Sequence, residues 1–465
     1  MKWEDAYRLR EKLLPILLIG GTLLLTGRLF FLQIIKGGEY RSLANSNRIK
    51  EEIIHAPRGI IYDRNGYPLV RNLPGFRIRI ASPAGELLRV ISQEEALRLA
   101  MKDNPTLEID TLREYLYPEE FAHVLGYLGE DNKTANIGGK AGLEESYNSQ
   151  LLGVDGKRLI EVDAARRTLR ELGKQEGTSG QDLKTTLDLP LQKKAYSAME
   201  EVERGALVAS DPRSGEILAL VSKPSFDPNL FTLGEGYREA SEEGKLKTVA
   251  EIFNDPDQPL FNRVISGTYP PGSTFKIITA AAALEEKVIS KDTQIEDIGI
   301  LRIGAFSFPN WYFLQYGKLE GLLNIVGAIK RSNDIFFYKL AEMVGIEKLE
   351  EMAKKFGLAA TLGIDIRGEA AGLFPSDVWK QEAIGDKWYL GDTYHIGIGQ
   401  GYLLTTPLQM NAWTQVVANG GTLYQPRLVK NITNTTNTTN NPIIKSQNFL
   451  KKETIELIRE GMREA

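Results

Sequence analysis

The stretch Tyr269-Pro270-Pro271-Gly272-Ser273-Thr274-Phe275-Lys276, running on into Ile277-Ile278-Thr279-Ala280-Ala281-Ala282-Ala283-Leu284, holds the residues best placed to do chemistry. Two prolines and a glycine ahead of Ser273 signal a helix start. The run that follows is apolar on nearly every side, so the pattern predicts a buried helix over 274–287. A lysine in the first turn of such a helix is misplaced as a structural residue. The positive end of the helix dipole repels it and apolar surroundings strip its water; both effects favour the neutral amine, the form a general base needs. Ser273 lies three residues earlier, on the same helix face, where a backbone N–H could also steady an oxyanion. That is a nucleophile and base for acyl transfer. An N-capping serine and a snorkelling lysine explain the same residues without chemistry, so the tetrad alone leaves both readings open.

A second polar group, Arg331-Ser332-Asn333-Asp334, sits between the apolar helical runs LLNIVGAI and IFFYKLAEMV. As structure it is a helix–helix corner capped by Ser332; as chemistry, Ser332 could carry a proton between Lys276 and a leaving amine. Gly397-Ile398-Gly399-Gln400-Gly401-Tyr402 lacks the full G-x-G-x-x-G frame and is weak as a nucleotide loop. His55, His123 and His395 are scattered without metal-ligand spacing and read as structural or surface residues. The absence of cysteine excludes disulfides, thiolate catalysis and Cys-ligated zinc. With 57 Lys+Arg against 61 Asp+Glu, the chain has no excess of cations for gripping nucleic acid. Hydrophobic residues at 42% and charged residues at 25% fit a folded globular chain.

These groups must be held by a large scaffold, and 465 residues allow roughly three domains. Residues 13–35 are apolar apart from Arg28, long enough for one membrane helix, and the run lacks the small-residue end of a cleaved signal. Lysines and arginines flank both ends, so charge does not orient the span. Residues 36–80 read as short strands and turns, with Asp63-Arg64-Asn65-Gly66 as a turn, and 85–130 read as helical. A boundary is expected near 180–190, then a helix over 191–203 and a hairpin joining 206–210 to 216–222. Helices are expected over 321–357, and Asn431–Asn441 reads as a solvated low-complexity loop.

Taken together, these segments resemble the penicillin-binding proteins. Ser273-Thr274-Phe275-Lys276 matches their S-x-x-K, and Ser332-Asn333-Asp334 occupies the place of their S-x-N. Two further stretches resemble pedestal signatures of class B members: Ala56-Pro57-Arg58-Gly59-Ile60-Ile61-Tyr62-Asp63-Arg64-Asn65-Gly66, and Gly142-Leu143-Glu144-Glu145-Ser146-Tyr147 with Leu152-Gly153. Trp388-Tyr389-Leu390-Gly391-Asp392-Thr393 running into Gly399-Gln400-Gly401-Tyr402 is similar to the penicillin-binding protein 2 branch, which serves side-wall elongation, as is Asp334 in place of Asn.

The resemblance implies an α+β chain. Its parts would be a cytoplasmic tail (1–12), one membrane helix (13–35), an elongated mixed pedestal or dimerisation-type domain (36–187), and a β-lactamase-like serine-transpeptidase domain (188–465) with helices packed on an antiparallel sheet. It implies a peptidoglycan D,D-transpeptidase with Ser273 as nucleophile, Lys276 as base, Ser332 as proton relay and Asp334 orienting both. Thr274, Asn333, Gly399, Gln400 and Gly401 would meet the substrate. No metal or cofactor carries over, because relatives with a zinc site there use a cysteine this chain lacks. The implied partners are D-Ala-D-Ala stem peptides and their amine acceptors, β-lactams, and a polytopic membrane glycosyltransferase of the elongation complex; nucleic acid is not among them. Because that substrate lies outside the cytoplasm, the large part would too.

The family's third motif, Lys-Thr/Ser-Gly, does not occur: Lys184-Thr185 and Lys247-Thr248 lack the glycine and precede Ser273. KKETIELIREGMREA resembles the helix ahead of that motif, so the sequence is expected to stop short of it. Two alternatives stay open: an impaired scaffold or regulator of cell-wall synthesis, and a carboxypeptidase or β-lactamase on the same scaffold.

Overall fold

The computed structural model describes residues 3–82, 85–101, 107–130, 137–163, 168–240, 246–433 and 441–465. Most of the Asn-rich loop expected over 431–441 lies outside them; Lys430, Asn431 and Ile432 end a strand, Val429–Ile432. The backbone forms two compact units, one of residues 1–56 with 154–178, the other of 57–153 with 179–465.

In the first unit, the helix Trp3–Phe30 continues as a wider-wound turn, Phe31–Ile35, and carries the apolar run Pro15–Ile35. Its large side chains are exposed, Leu24 by 78%, an arrangement that hydrocarbon accepts and water does not. The hydroxyls of Thr22 and Thr26 donate to the carbonyls of Leu18 and Thr22, so neither needs an outside partner. This helix fits a single-pass membrane anchor. Beyond the helix Gly37–Arg48, the strands Ile49–Ile54, Gly156–Val162 and Thr168–Gln175 form an antiparallel sheet with Gly156–Val162 in the centre.

In the second unit, the run expected to be helical over 85–130 divides into strand, helix, strand and helix: Gly85–Ile91, Gln93–Ala100, Leu107–Tyr115 and Pro118–Leu125. The two strands flank the long strand Val70–Ser82. Tertiary pairing overrides local periodicity here. The break was readable at Ser92, whose hydroxyl accepts the Glu95 N–H and starts a new helix.

The two pedestal signatures meet around one buried carboxylate. Glu144 accepts from Arg58 Nε at 2.6 Å and from Arg113 Nε at 2.8 Å, while Asn72 links the pair by accepting from Arg113 and donating to the Arg58 carbonyl. Glu144 and Arg113 are almost completely buried. Tyr147, at the end of the second signature, donates to Asp365 at 3.1 Å, and Asp365 also accepts the Leu428 and Val429 N–H groups. Burial raises the Asp365 pKa, and those three donors oppose the rise.

The hairpin Gly205–Ser210 and Ile217–Lys223 forms as its turn residues predict, with Gly215 at φ +73°. Its strands share a cluster with Ala195 and Met199, and Gln192 of the helix Leu189–Ala198 both donates to and accepts from the backbone of Leu220. At the centre lies Lys276–Glu285, whose Ile278 and Ala280–Ala283 are fully buried; alanines let neighbouring helices come close without leaving voids. The helices Ile325–Arg331, Asp334–Val344, Ile346–Lys355 and Lys452–Glu464 surround it.

Two outcomes follow from these buried charges. Glu144→Ala strands two guanidinium groups and is expected to cost about 3–5 kcal/mol, read as loss of soluble protein or a sharply lower melting temperature. A melting temperature within a degree or two of wild type would refute that role. His123 is buried, its Nε2 lies 2.7 Å from the Pro259 carbonyl, and burial lowers its pKa to about 4, with Arg263 adding to the effect. The unfolded chain therefore takes up this proton near pH 6.5 while the folded chain refuses it. Stability from His123 is complete above that pH and falls toward pH 4 by about 3 kcal/mol. Melting curves of wild type and His123→Gln should converge over that window; parallel curves would rule the effect out.

Candidate active site

The turn that carries Ser273 is built by two glycines in contact. Gly272 takes φ +59° and opens a single 3-10 turn, Gly272–Phe275, which leads into the helix Lys276–Glu285. Its N–H donates to the carbonyl of Gly399 at 2.8 Å, and Gly399 itself sits at φ +75°. A Cβ on Gly399 would lie 2.0 Å from the Gly272 carbonyl oxygen, so only glycine fits there. Two residues earlier, Gly397 packs on Ala341 and accepts from Thr279 at 2.8 Å. Tyr269 and Thr405 exchange both backbone hydrogen bonds at 2.9 Å. The glycine-rich segment is therefore a packing device that clamps the start of the helix Lys276–Glu285.

Ser273 is exposed at the mouth of this helix, and its hydroxyl has no hydrogen bond among the described residues. Thr274 is also exposed, but its hydroxyl donates back to the Pro271 carbonyl at 2.8 Å, leaving lone pairs rather than a donor for a ligand. Lys276 is 3% exposed. Its Nζ donates to Asp334 Oδ1 at 2.6 Å, to the Ser332 carbonyl at 2.7 Å and to Ser332 Oγ at 3.1 Å, above the ring of Phe337. Burial lowers the lysine pKa; Asp334, and more weakly Glu320, oppose the shift. Desolvation thus pulls the amine toward its neutral form, and the two carboxylates pull against it.

Ser332 occupies the left-handed region, φ +50° and ψ +40°, between the helices Ile325–Arg331 and Asp334–Val344. Ser332 caps the C-terminus of the first helix, while the N-cap of the second, a part the sequence reading gave to Ser332, is corrected to Asn333, whose Oδ1 accepts the Phe336 N–H at 2.8 Å. Asn333 was also expected to meet substrate, and this too is corrected. It is fully buried, and its Nδ2 is spent on Glu320 Oε2 at 2.9 Å. Asp334 Oδ2 accepts the Trp311 N–H at 2.9 Å, and its own N–H donates to Asn310 Oδ1 at 3.1 Å. Gln400 is exposed with its N–H on the His395 carbonyl, and Gly401 turns at φ +72°.

The fold thus joins Lys276, Ser332 and Asp334 directly. Ser273 lies one helical turn ahead of Lys276, and Gly399 rests against the turn that carries Ser273. Sequence reasoning missed Asn310 and Trp311, which grip Asp334 from 24 and 23 residues away in the chain. No spacing rule relates positions so far apart.

Residues 205–465 match the penicillin binding protein transpeptidase domain, and residues 82–185 match the penicillin-binding protein dimerisation domain. The peptidoglycan D,D-transpeptidase MrdA of Acinetobacter baumannii is 34% identical over 88% of this chain and 67% of its own length. Among solved structures, PBP2 of Pseudomonas aeruginosa in complex with WCK 5153 aligns with a TM-score of 0.67 at 31% identity, covering 89% of this chain and 80% of that one. PBP2 of Helicobacter pylori, solved with MreC, aligns with a TM-score of 0.73 at 26% identity over 90% and 84%. A match over more than half of the chain, together with relatives of this identity and coverage, makes the chain a member of the penicillin-binding protein transpeptidase family.

Proposed function

We propose that the chain is a peptidoglycan D,D-transpeptidase of cell-wall elongation that works through an acyl-enzyme on Ser273. The observation that carries this reading is the buried Lys276 amine, held by Ser332 and Asp334 one turn beyond an exposed serine. Lys276, when neutral, takes the Ser273 proton as Oγ attacks the penultimate D-Ala carbonyl. Backbone N–H groups at the helix start steady the oxyanion. Ser332 relays the proton to the departing D-Ala amine, and the carbonyl–nitrogen bond breaks. An amine from a neighbouring stem peptide then attacks the ester, loses its proton by the reverse route and frees Ser273. Asp334 orients Lys276 and Ser332 throughout, while Gly399, Gln400 and Gly401 line one wall. β-Lactams would acylate Ser273 as strained mimics of the same amide.

The domain reading assigns 36–187 to the pedestal and 188–465 to the transpeptidase domain, in keeping with family matches over 82–185 and 205–465. A substrate outside the cytoplasm sets the orientation, with the N-terminus cytoplasmic. A polytopic glycosyltransferase met through the span and pedestal is the proposed partner. A structural neighbour from a peptidoglycan synthase complex, 29% identical with a TM-score of 0.73, supports that choice, and the MreC complex of the H. pylori relative makes an MreC-like protein a second candidate.

Fluorescent penicillin should label the purified protein covalently and stably on Ser273; Ser273→Ala should fold normally and take no label. An unlabelled wild type would favour the impaired scaffold. A label lost quickly to water would favour the carboxypeptidase or β-lactamase. Lys276→Met should slow acylation by about 10²–10⁴-fold. Because the neutral amine is the active form, acylation by the wild type should rise with pH to a midpoint below the ordinary lysine value of 10.5. A midpoint at or above that value would remove Lys276 as the base.

A further inference from the structure

Beneath the corner that carries Ser332 lies a buried polar layer with no part in the steps above. We propose that Asn310 is a positioning residue for Asp334, anchored by the buried carboxylates of Asp297 and Glu320, so that this layer fixes the Lys276–Asp334 pair. The role in catalysis rests on the reading of Lys276 as the base.

Asp334 begins its helix, where a backbone N–H has no partner within the helix. Asn310 supplies one through Oδ1, while its Nδ2 donates to Asp297 Oδ2 at 3.0 Å and reaches Glu320 Oε2 at 3.5 Å. The opposite orientation of the amide would set its oxygen against two carboxylates and its NH₂ against an N–H, so the surroundings fix which end faces Asp334. Asp297 is itself held: Oδ1 accepts the Gly299 N–H at 2.8 Å and Oδ2 the Glu320 N–H at 3.0 Å. Glu320 accepts from Asn333 Nδ2 and pairs with Arg331, so it grips the residues on both sides of Ser332. Asn310 and Asn333 are fully buried and Asp297 nearly so. Every polar end of Asn310 is therefore used, and each partner belongs to the corner or to its anchor. A buried network satisfied in this way specifies one geometry.

The layer also sets the field at the amine. The charged groups around it are Asp334, Glu320, Asp297 and Arg331, and Tyr338 stands near them, its pKa raised first by burial and then by the Asp334 charge. With Lys276 counted, three carboxylates stand against two cations. Loosening Asp334, or removing the Glu320 charge, withdraws support from the ammonium and must lower the lysine pKa further.

The test titrates Lys276 in the full-length protein by the ¹³Cε resonance of labelled lysine, and separately follows penicillin acylation against pH. Asn310→Leu keeps the branched shape and removes the side chain's three hydrogen bonds. It should lower the Lys276 midpoint and slow acylation by about 10²-fold, the scale of a misplacement near 1 Å, with little change in initial penicillin binding. Glu320→Gln keeps an acceptor for Asn333 and should lower the midpoint with a smaller rate loss; it carries the test if Asn310→Leu does not fold. An Asn310→Leu, Asp334→Asn double variant should be no slower than Asp334→Asn alone. Unmoved midpoints in both single variants, or additive rate losses, overturn the proposal even if Ser273 is acylated. Shifted midpoints without acylation of the wild type would keep the positioning role and sink the transpeptidase reading.

Discussion

One ion pair governs the architecture of the site: Lys276 Nζ and Asp334 Oδ1, 2.6 Å apart in a place where water hardly reaches. Desolvating two charges is expensive, and their attraction repays it only when geometry is good and the remaining donors and acceptors are satisfied. The surrounding structure meets both conditions. The ammonium has three oxygens, and the second carboxylate oxygen has the Trp311 N–H. The helix that presents Lys276 is itself pinned, by Gly399 at one end and by the packing of its alanines along its length. A pair this costly makes sense where the lysine must be able to lose its proton, because burial alone would drive it neutral and the carboxylate alone would keep it charged.

How much of this was legible in the sequence depends on the range of the interaction. Local signals spoke plainly. Prolines and glycine before Ser273 marked a helix start, an alanine run marked its burial, and Asp211-Pro212-Arg213-Ser214-Gly215 marked a hairpin turn. Lys276 was conspicuous because it broke a local rule. What stayed hidden was set by partners distant in the chain. Leu107–Tyr115 is a strand because Val70–Ser82 is there to pair with it, and Asn333 is buried because Glu320 needs a donor. The glycines at 397–401 were visible, but their use, backbone against backbone with Gly272, emerges only when the two segments meet. The corner has two caps where the sequence suggested one: Ser332 ends the first helix and Asn333 starts the second, and only the φ values separate the two roles.

A second buried acid follows the same logic with different residues. Glu144 joins two arginines from different segments, and Tyr147 extends from the same short stretch to Asp365, which in turn receives the strand Val429–Ile432. In both places a buried acid organises donors that are far apart in sequence, and the segments that looked like signatures are those that carry the acid or its arginine.

Ser332 is a residue for which easy folding and usefulness pull in opposite directions. Its backbone sits where glycine or asparagine would rest comfortably, yet neither brings a hydroxyl to the amine beside it. A lineage selected for thermal robustness alone would drift toward those two residues and tighten the corner while losing the hydroxyl that meets Lys276. Keeping serine there means accepting a small, permanent backbone tension in exchange for an oxygen 3.1 Å from that buried amine.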